Sequence, residues 1–298
     1  MKIAVVLVNY NGISDTLDCI ESLRNSAVPL KVIVIDNASK NDESYLICQK
    51  HPDVKTFRLE QNLGFAGGNN VGIEWALEND YEYIALLNND TVIDSKLFEN
   101  LQAEAAPDTV VAPYMYFHSS PDDLWYGGGN INRWTGNATH IYVPNENLVP
   151  FECSLMTGCC FMAHRDVWKK VGLLDDSYFM YNEDTDFSIR LMQNGIKLKV
   201  VPQAKLWHKV GKSSGGETSP LSCYYITRNR LHLLKTYKSF FKPTAYLFTI
   251  VTRYLWVLRM LKAGKRDSAQ AFLQGIKDFK QGITGAAVIV SAMHQDLK

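Results

Sequence analysis

The 298-residue chain has no net charge, because 31 Lys and Arg balance 31 Asp and Glu. Without a basic excess it is not built to coat nucleic acid, and that class of partner is set aside. It also lacks an uninterrupted apolar run of about 18 residues, which excludes an ordinary transmembrane helix. The nearest approach, Pro243 to Leu261, contains Arg253 and Arg259. The N-terminal apolar run, Ile3 to Val8, is too short for a signal peptide and fits a buried strand. Six cysteines fall in no CxxC or Cys/His ligand spacing and read as reduced, mostly buried thiols of a cytosolic protein. Two phosphate-binding motifs are missing as well. Asn9-Tyr10-Asn11-Gly12 stands where GxGxxG would follow the first strand, and Gly211-Lys212-Ser213 has Leu206 where a P-loop needs glycine. A dinucleotide-dependent dehydrogenase is therefore poorly supported.

What is present is the composition of a globular protein, 46% hydrophobic and 21% charged. The neutral total hides an asymmetry. Residues 1–221 hold 18 basic and 28 acidic side chains, a net of −10, whereas residues 222–298 hold 13 and 3, a net of +10. Up to residue 113, short apolar strands (Ile3–Val8, Val32–Ile35, Val54–Leu59, Tyr83–Leu87) alternate with helical patterns, the first capped at Ser14. That succession predicts βαβ units and a mostly parallel sheet, with ligands beyond the carboxyl ends of its strands. Asn9 to Asn11, Asp36, a glycine-rich turn at Gly64–Gly72 and Asp90 all fall at such ends. Aromatic, Gly- and Asn-rich sequence from Tyr114 to Phe151 predicts an irregular or hairpin segment lining a site. A helix carrying Phe187 and Leu191 then ends near Gly195, and Leu198–Val201 reads as a further strand.

Several residues suit chemistry, each with a plainer alternative. Asp90 after a buried strand suits a divalent cation on a diphosphate, or a simple turn. Asp36 suits the imide of a pyrimidine base or a ribose hydroxyl, or a helix cap. Gly64 to Asn70 suits close approach to a nucleotide, or a βα turn that merely needs glycine. Glu183 and Asp184, after the aromatic run Tyr178 to Tyr181, suit a general base with a supporting acid; Asp186 fits the helix dipole. His208 is a candidate metal ligand or phosphate contact, and Arg228, Arg230 and Lys212 are candidate diphosphate contacts, each also readable as structural or solvated.

Taken together, Val8-Asn9-Tyr10-Asn11, Asp36-Asn37-Ala38-Ser39, Asn62 to Asn69, Asn88-Asn89-Asp90 and Glu183-Asp184 resemble, in order and spacing, the family 2 glycosyltransferases. The likeness is greatest to bacterial rhamnosyltransferase-type enzymes of O-antigen and cell-wall polysaccharide assembly, and it covers about residues 1–235. It implies an α/β GT-A fold (Rossmann-like, with flanking helices) plus a C-terminal helical extension. The expected division is a catalytic part at 1–221, its nucleotide-sugar half about 1–113 and its acceptor half about 114–221, followed by 222–298. It further implies a nucleotide-diphosphate sugar donor, first dTDP-rhamnose, a divalent Mg or Mn ion and an inverting displacement. Tyr10 and Asp36 would hold the base with the chain at Val8 beside it, Gly64, Gly68 and Asn70 would flank the nucleoside, and Asn11 and Asn89 would bind the nucleotide sugar. Asp90 would bind metal with His208, and Asp184 would be the base, supported by Glu183. The family's metal motif is commonly Asp-x-Asp; here its first position is Asn88.

In 222–298, Tyr246, Leu247, Ile250, Tyr254, Val257, Leu258 and Leu261 are expected to form one helix face edged by Arg253, Arg259, Lys262, Lys265 and Arg266. Such a face suits an anionic leaflet, and equally packing on the catalytic part or on a second subunit as a homodimer. With a polyprenyl-diphosphate-linked saccharide acceptor, which the resemblance suggests, the expected location is the inner face of a bacterial membrane. The competing readings are a sugar-phosphate nucleotidyltransferase and a non-catalytic nucleotide- or sugar-binding subunit.

Overall fold

The computed structural model describes residues 2–144, 147–210 and 218–287. Lys212 and most of the loop expected at Gly211–Pro220 lie outside the described residues. The chain opens with β1 (Ile3–Asn9), α1 (Ile13–Arg24), β2 (Leu30–Asp36), α2 (Glu43–Lys50), β3 (Lys55–Arg58), α3 (Gly64–Glu78) and β4 (Tyr83–Leu87). Residues Ile3 to Leu7 of β1 are all buried, because helices cover both faces, and its sequence is accordingly a continuous apolar run. β3, β2, β1 and β4 lie side by side in parallel, with Asn9 opposite Asp36 and Asp36 opposite Arg58. The polar strand ends thus gather at one edge.

The second half adds β5 (Thr91–Ile93), α4 (Leu97–Glu104), β6 (Thr109–Phe117), β7 (Ser120–Tyr126), β8 (Gly129–Ile131), β9 (Ala138–His140), β10 (Phe151–Glu152), β11 (Cys160–His164), α5 (Arg165–Val171), α6 (Glu183–Gln193) and β12 (Lys197–His208). β11 runs antiparallel between β4 and β6, and β12 runs parallel to β6. One mixed ten-stranded sheet results, parallel along its longest ladders, β1–β2 and β6–β12. The register of β12 on β6 shifts between Val201 and Lys205, and the strand continues to His208, well past the predicted end at Val201.

Three local expectations are corrected. α1 is capped at Gly12, whose carbonyl accepts from Thr16 N, so Ser14 sits inside the helix. The glycine-rich stretch is the first turns of α3 rather than a turn preceding it. The reason is packing against β1: a Cβ on Gly72 would lie 2.4 Å from Val6 Cγ1, and one on Gly68 3.1 Å from Val8 Cγ1. The irregular segment begins later than Tyr114, which is a buried residue of β6, and contains the β6–β7 and β8–β9 hairpins.

Residues 218–287 form α7 (Pro220–Thr236), α8 (Pro243–Lys262) and α9 (Arg266–Gln281). The boundary expected at 221/222 falls in the first turn of α7. α8 buries Ala245, Thr249, Val257 and Met260 and turns Leu247, Val251, Leu255 and Leu258 outward, each 48% to 65% exposed. Tyr246, Tyr254 and Leu261 of the predicted apolar face are exposed as well. Val257 packs inward, and so does Arg253, whose guanidinium lies 5.6 Å from the Phe272 ring centre. No helix among the described residues is long and apolar enough to cross a membrane.

Gly64 has φ +74°, and a Cβ there would meet Phe179 O at 2.2 Å. Gly64→Ala is expected to cost about 2 kcal/mol or more in urea unfolding. Gly195→Ala has a similar φ of +69° but open space around it, and should cost only the left-handed backbone penalty of about 1–2 kcal/mol, less than Gly64→Ala. Equal losses at both positions would overturn the packing account.

Candidate active site

A buried polar chain lines the carboxyl edge of the parallel strands. Asn9 Nδ2 donates to Glu43 Oε2 (2.7 Å), Thr16 Oγ1 donates to Asn9 Oδ1 (2.7 Å), and Asn89 Nδ2 donates to Thr16 Oγ1 (2.8 Å). Asn11, with φ +53°, donates its backbone N–H to Ser39 Oγ (2.9 Å) and accepts Lys40 N at its Oδ1 (2.8 Å). Val8 is partly buried under Gly68, and Tyr10 is 40% exposed at the rim. These contacts clamp the loops after β1 and β2 together.

Several expected ligand contacts have structural partners instead. Asp36 is fully buried, and its carboxylate accepts Ser39 N (3.0 Å) and Ser44 N (3.3 Å), so it shapes its own loop. Asn70 bonds both the carbonyl and the N–H of Leu174 (2.8 and 3.1 Å) and ties α3 to the segment before α6. Gly64 and Gly68 face Phe179 and Val8, as their packing requires. Arg228 is 1% exposed and donates to Tyr178 O and Gly285 O, while Arg230 donates to Thr135 O and Thr249 Oγ1. Both guanidiniums therefore have carbonyl or hydroxyl partners within the fold rather than facing a diphosphate.

Asp90, by contrast, is buried with Oδ1 3.1 Å from His208 Nε2. The register shift in β12 delivers His208 there, opposite Thr91 of β5. Asp90 Oδ1 faces His208 Nε2 without the alignment of a hydrogen bond, and His208 Nδ1 has no hydrogen-bond partner. Orphaned, buried oxygen and nitrogen atoms of this kind fit a cation that keeps other ligands from solvent or diphosphate. Among the described residues no group of three or more His, Cys, Asp or Glu is placed to hold a metal, so the protein's share would be these two.

The second acidic arm begins α6. Asp184 Oδ1 accepts Thr185 N (2.6 Å) and Thr185 Oγ1 (3.2 Å), and Oδ2 accepts Gly158 N (3.3 Å). Glu183 is buried and its Oε2 has no hydrogen-bond partner. Burial, aided by the Asp184 charge, pushes the Glu183 carboxyl well above the usual range. Burial also raises Asp184, but His140 and its three donors hold it back. The two arms meet on one loop: Gly158 N bonds Asp184, and Cys159 O accepts Asn88 N (2.8 Å) two residues before Asp90.

Two side chains in this site carry no signal that singles them out in the sequence. Trp125 meets His208 edge-on at 4.6 Å and His140 at 4.9 Å, and thereby lies between the Asp90–His208 pair and the His140 imidazole that acts on Asp184. The β8–β9 hairpin supplies His140, whose imidazole burial pushes down while Asp184 raises it. A lone His and a lone Trp in an irregular stretch become neighbours only once that hairpin pairs.

Residues 4–172 match the family model described as Glycosyl transferase family 2. The chain belongs to this family. Among curated relatives, the dTDP-rhamnosyl transferase RfbF of Shigella flexneri is 26% identical over 245 residues, 78% of this chain and 80% of that one. The N-acetylglucosaminyl-diphospho-decaprenol L-rhamnosyltransferase of Mycobacterium tuberculosis is 25% identical, over 63% of this chain and 69% of that one. Two solved structures share the fold. GalNAc-T7 with UDP, GalNAc and Mn2+ has TM-score 0.61 at 19% identity, covering 76% of this chain and 47% of that one. S. aureus TarS 1-349 in complex with UDP has TM-score 0.53 at 14% identity, covering 95% and 92%. The fold is GT-A, as the resemblance implied, and the protein is a glycosyltransferase.

Because Asp184 raises the His140 imidazole, Asp184→Asn is expected to lower its midpoint further in a histidine NMR titration. An unchanged midpoint would show that the two groups are not in electrostatic contact.

Proposed function

We propose that this glycosyltransferase moves L-rhamnose from dTDP-rhamnose, with inversion, to a hydroxyl of a saccharide linked to polyprenyl diphosphate. The setting is bacterial surface polysaccharide assembly, O-antigen in type, at the cytoplasmic face of the membrane. What carries the reading is the attachment of two acidic arms to consecutive residues of one loop, Gly158 on Asp184 and Cys159 on the Asp90 strand end. The names of the two rhamnosyltransferase relatives support the sugar and the diphosphate-linked acceptor.

Residues 1–113 would hold the donor, with Tyr10 and the Asn11 loop toward the base and Asp36 acting through the loop it folds. Asp90 and His208 would hold a divalent Mg or Mn ion, which neutralises charge on the departing diphosphate. Within 114–221, Asp184 takes the proton of the acceptor hydroxyl as that oxygen bonds to the anomeric carbon. The bond from that carbon to the diphosphate oxygen breaks in the same displacement, and its electron pair leaves with the nucleotide. Asp184 suits the task better than Glu183. Its donors favour the ionised form, whereas the unpartnered, buried Glu183 holds its proton more tightly. The basic region 222–298 would rest against an anionic leaflet where a lipid-linked acceptor resides.

Asp184→Asn is expected to lower kcat by about 10²–10⁴-fold while leaving dTDP binding intact. Parallel loss of both would remove the base assignment. A raised Asp184 pKa places the acid limb of kcat/KM above the ordinary carboxylate range, since activity is lost as pH falls through that pKa. His140→Phe, which removes the stabilising imidazole, should move the limb higher still. Calorimetry with dTDP, UDP and GDP, with and without Mn, tests the donor side. Metal-dependent binding of dTDP that Asp90→Ala abolishes supports it, and metal-independent binding by both proteins refutes the Asp90 assignment.

A further inference from the structure

The outward face of α8 is apolar from Leu247 to Leu258, and the helix contains no acidic residue. Leu247, Val251, Leu255 and Leu258 are each about half exposed or more. A contiguous face of this kind marks a contact surface rather than scattered surface leucines. At its N-terminal end a cavity of about 570 Å³ opens between the end of α7, the start of α8 and the end of α9. Lys235, Lys238, Lys242 and Lys280 line it over a floor that includes Tyr246 and Phe279. No carboxylate pairs with these four ammonium groups among the described residues. Lys235 lies 5.9 Å from the Phe279 ring centre and Lys242 5.6 Å from that of Trp134, which is itself 62% exposed.

Four cations around an aromatic floor match a phosphate carried on an apolar body. We propose that this cleft binds the phosphate headgroup of an anionic phospholipid and thereby sets the orientation in which the α8 face enters the leaflet. The inference rests on the membrane contact of the proposed function and adds a discrete site to it. Charge selects the occupant. Residues 222–298 carry a net of +10, so a second copy on this face would bring like charge against like, whereas an anionic leaflet complements it. Tyr246 belongs both to the cleft and to the helix whose outer face follows, so a headgroup seated there leaves its chains alongside Leu247 and Val251. The tip of the β8–β9 hairpin abuts the same end, with Thr244 Oγ1 donating to Trp134 O (2.8 Å).

The test is flotation of the full chain with vesicles of phosphatidylcholine alone or mixed with phosphatidylglycerol. The cleft variant is Lys235→Gln/Lys238→Gln/Lys242→Gln; the control, Arg259→Gln/Lys262→Gln/Arg266→Gln, removes equal charge from the far end of α8. Unchanged urea midpoints establish that both are folded. The wild type is expected to bind only the anionic vesicles. The cleft variant should lose on the order of a hundredfold in affinity, at about 1 kcal/mol per lysine, and the control distinctly less. Equal losses would reduce the cleft to general basic charge and overturn the site while leaving membrane contact standing. A wild type that ignores anionic vesicles would take the membrane reading down with it. Displacement by glycerol phosphate at matched ionic strength would reassign the cleft to a free phosphate. A dimer in sedimentation that Leu255→Ser/Leu258→Ser dissolves would give the face to a second copy.

Discussion

Two adjacent carboxylates at the start of α6 are the constraint from which much of the structure follows. Charges this close and this buried are tolerated only if one is neutral or both are well solvated by protein donors. Here the neighbours differ. Asp184 receives Thr185 and Gly158, and Glu183 is left with an unpartnered oxygen. The backbone that presents them is itself strained, since Phe179, Tyr181 and Asn182 all have positive φ. Such strain persists only where the surroundings over-determine it. Asn229 Nδ2 lies 2.7 to 2.9 Å from the carbonyls of Tyr178, Met180 and Tyr181, Arg228 adds a bond to Tyr178 O, and Phe65 N donates to Phe179 O.

The other arm is positioned by a different device. A parallel sheet with glycine-faced α3 pressed on β1 brings the loops after β1, β2 and β4 within reach of one another. Side-chain amides then cross-link them from Asn9 through Thr16 to Asn89. Asp90 is held at the end of that chain, and the register shift in β12 delivers His208 to it. The Asp90 side is thus rigid through short hydrogen bonds between strand ends, and the Asp184 side through a helix that grips backbone carbonyls.

Much of this was legible in the residue order. The alternation of apolar runs with helical patterns up to Leu87 predicts the βαβ units, and the polar residues at the strand ends mark the edge where the site lies. Asp90 and His208 pair directly, and the loop at Gly158 and Cys159 touches both Asp184 and the strand end before Asp90. The glycines, Asp36, Asn70, Arg228 and Arg230 have partners within the fold that the residue order did not announce, because a local pattern cannot distinguish a group facing a cleft from one answering a carbonyl across the fold. Gly68 is needed because Val8 is beside it, and Asn70 because Leu174 is, relations of long separation that no window of sequence contains. Trp125 and His140 were missed for the same reason. Most of the apolar face expected on α8 is exposed, but Val257 and Arg253 turn inward onto α9, a packing partner that the sequence of the helix alone does not reveal.

The grip of Asn229 on the 178–181 carbonyls has a bearing on how the chain can be divided. A fragment ending at residue 221, where the charge balance changes sign, would retain the acidic arms and the whole sheet. It would lack the amide that holds their approach segment in left-handed backbone, and that segment could relax to ordinary conformations. The backbone that presents the acidic arms therefore depends on α7, which buttresses the sheet-bearing part of the chain.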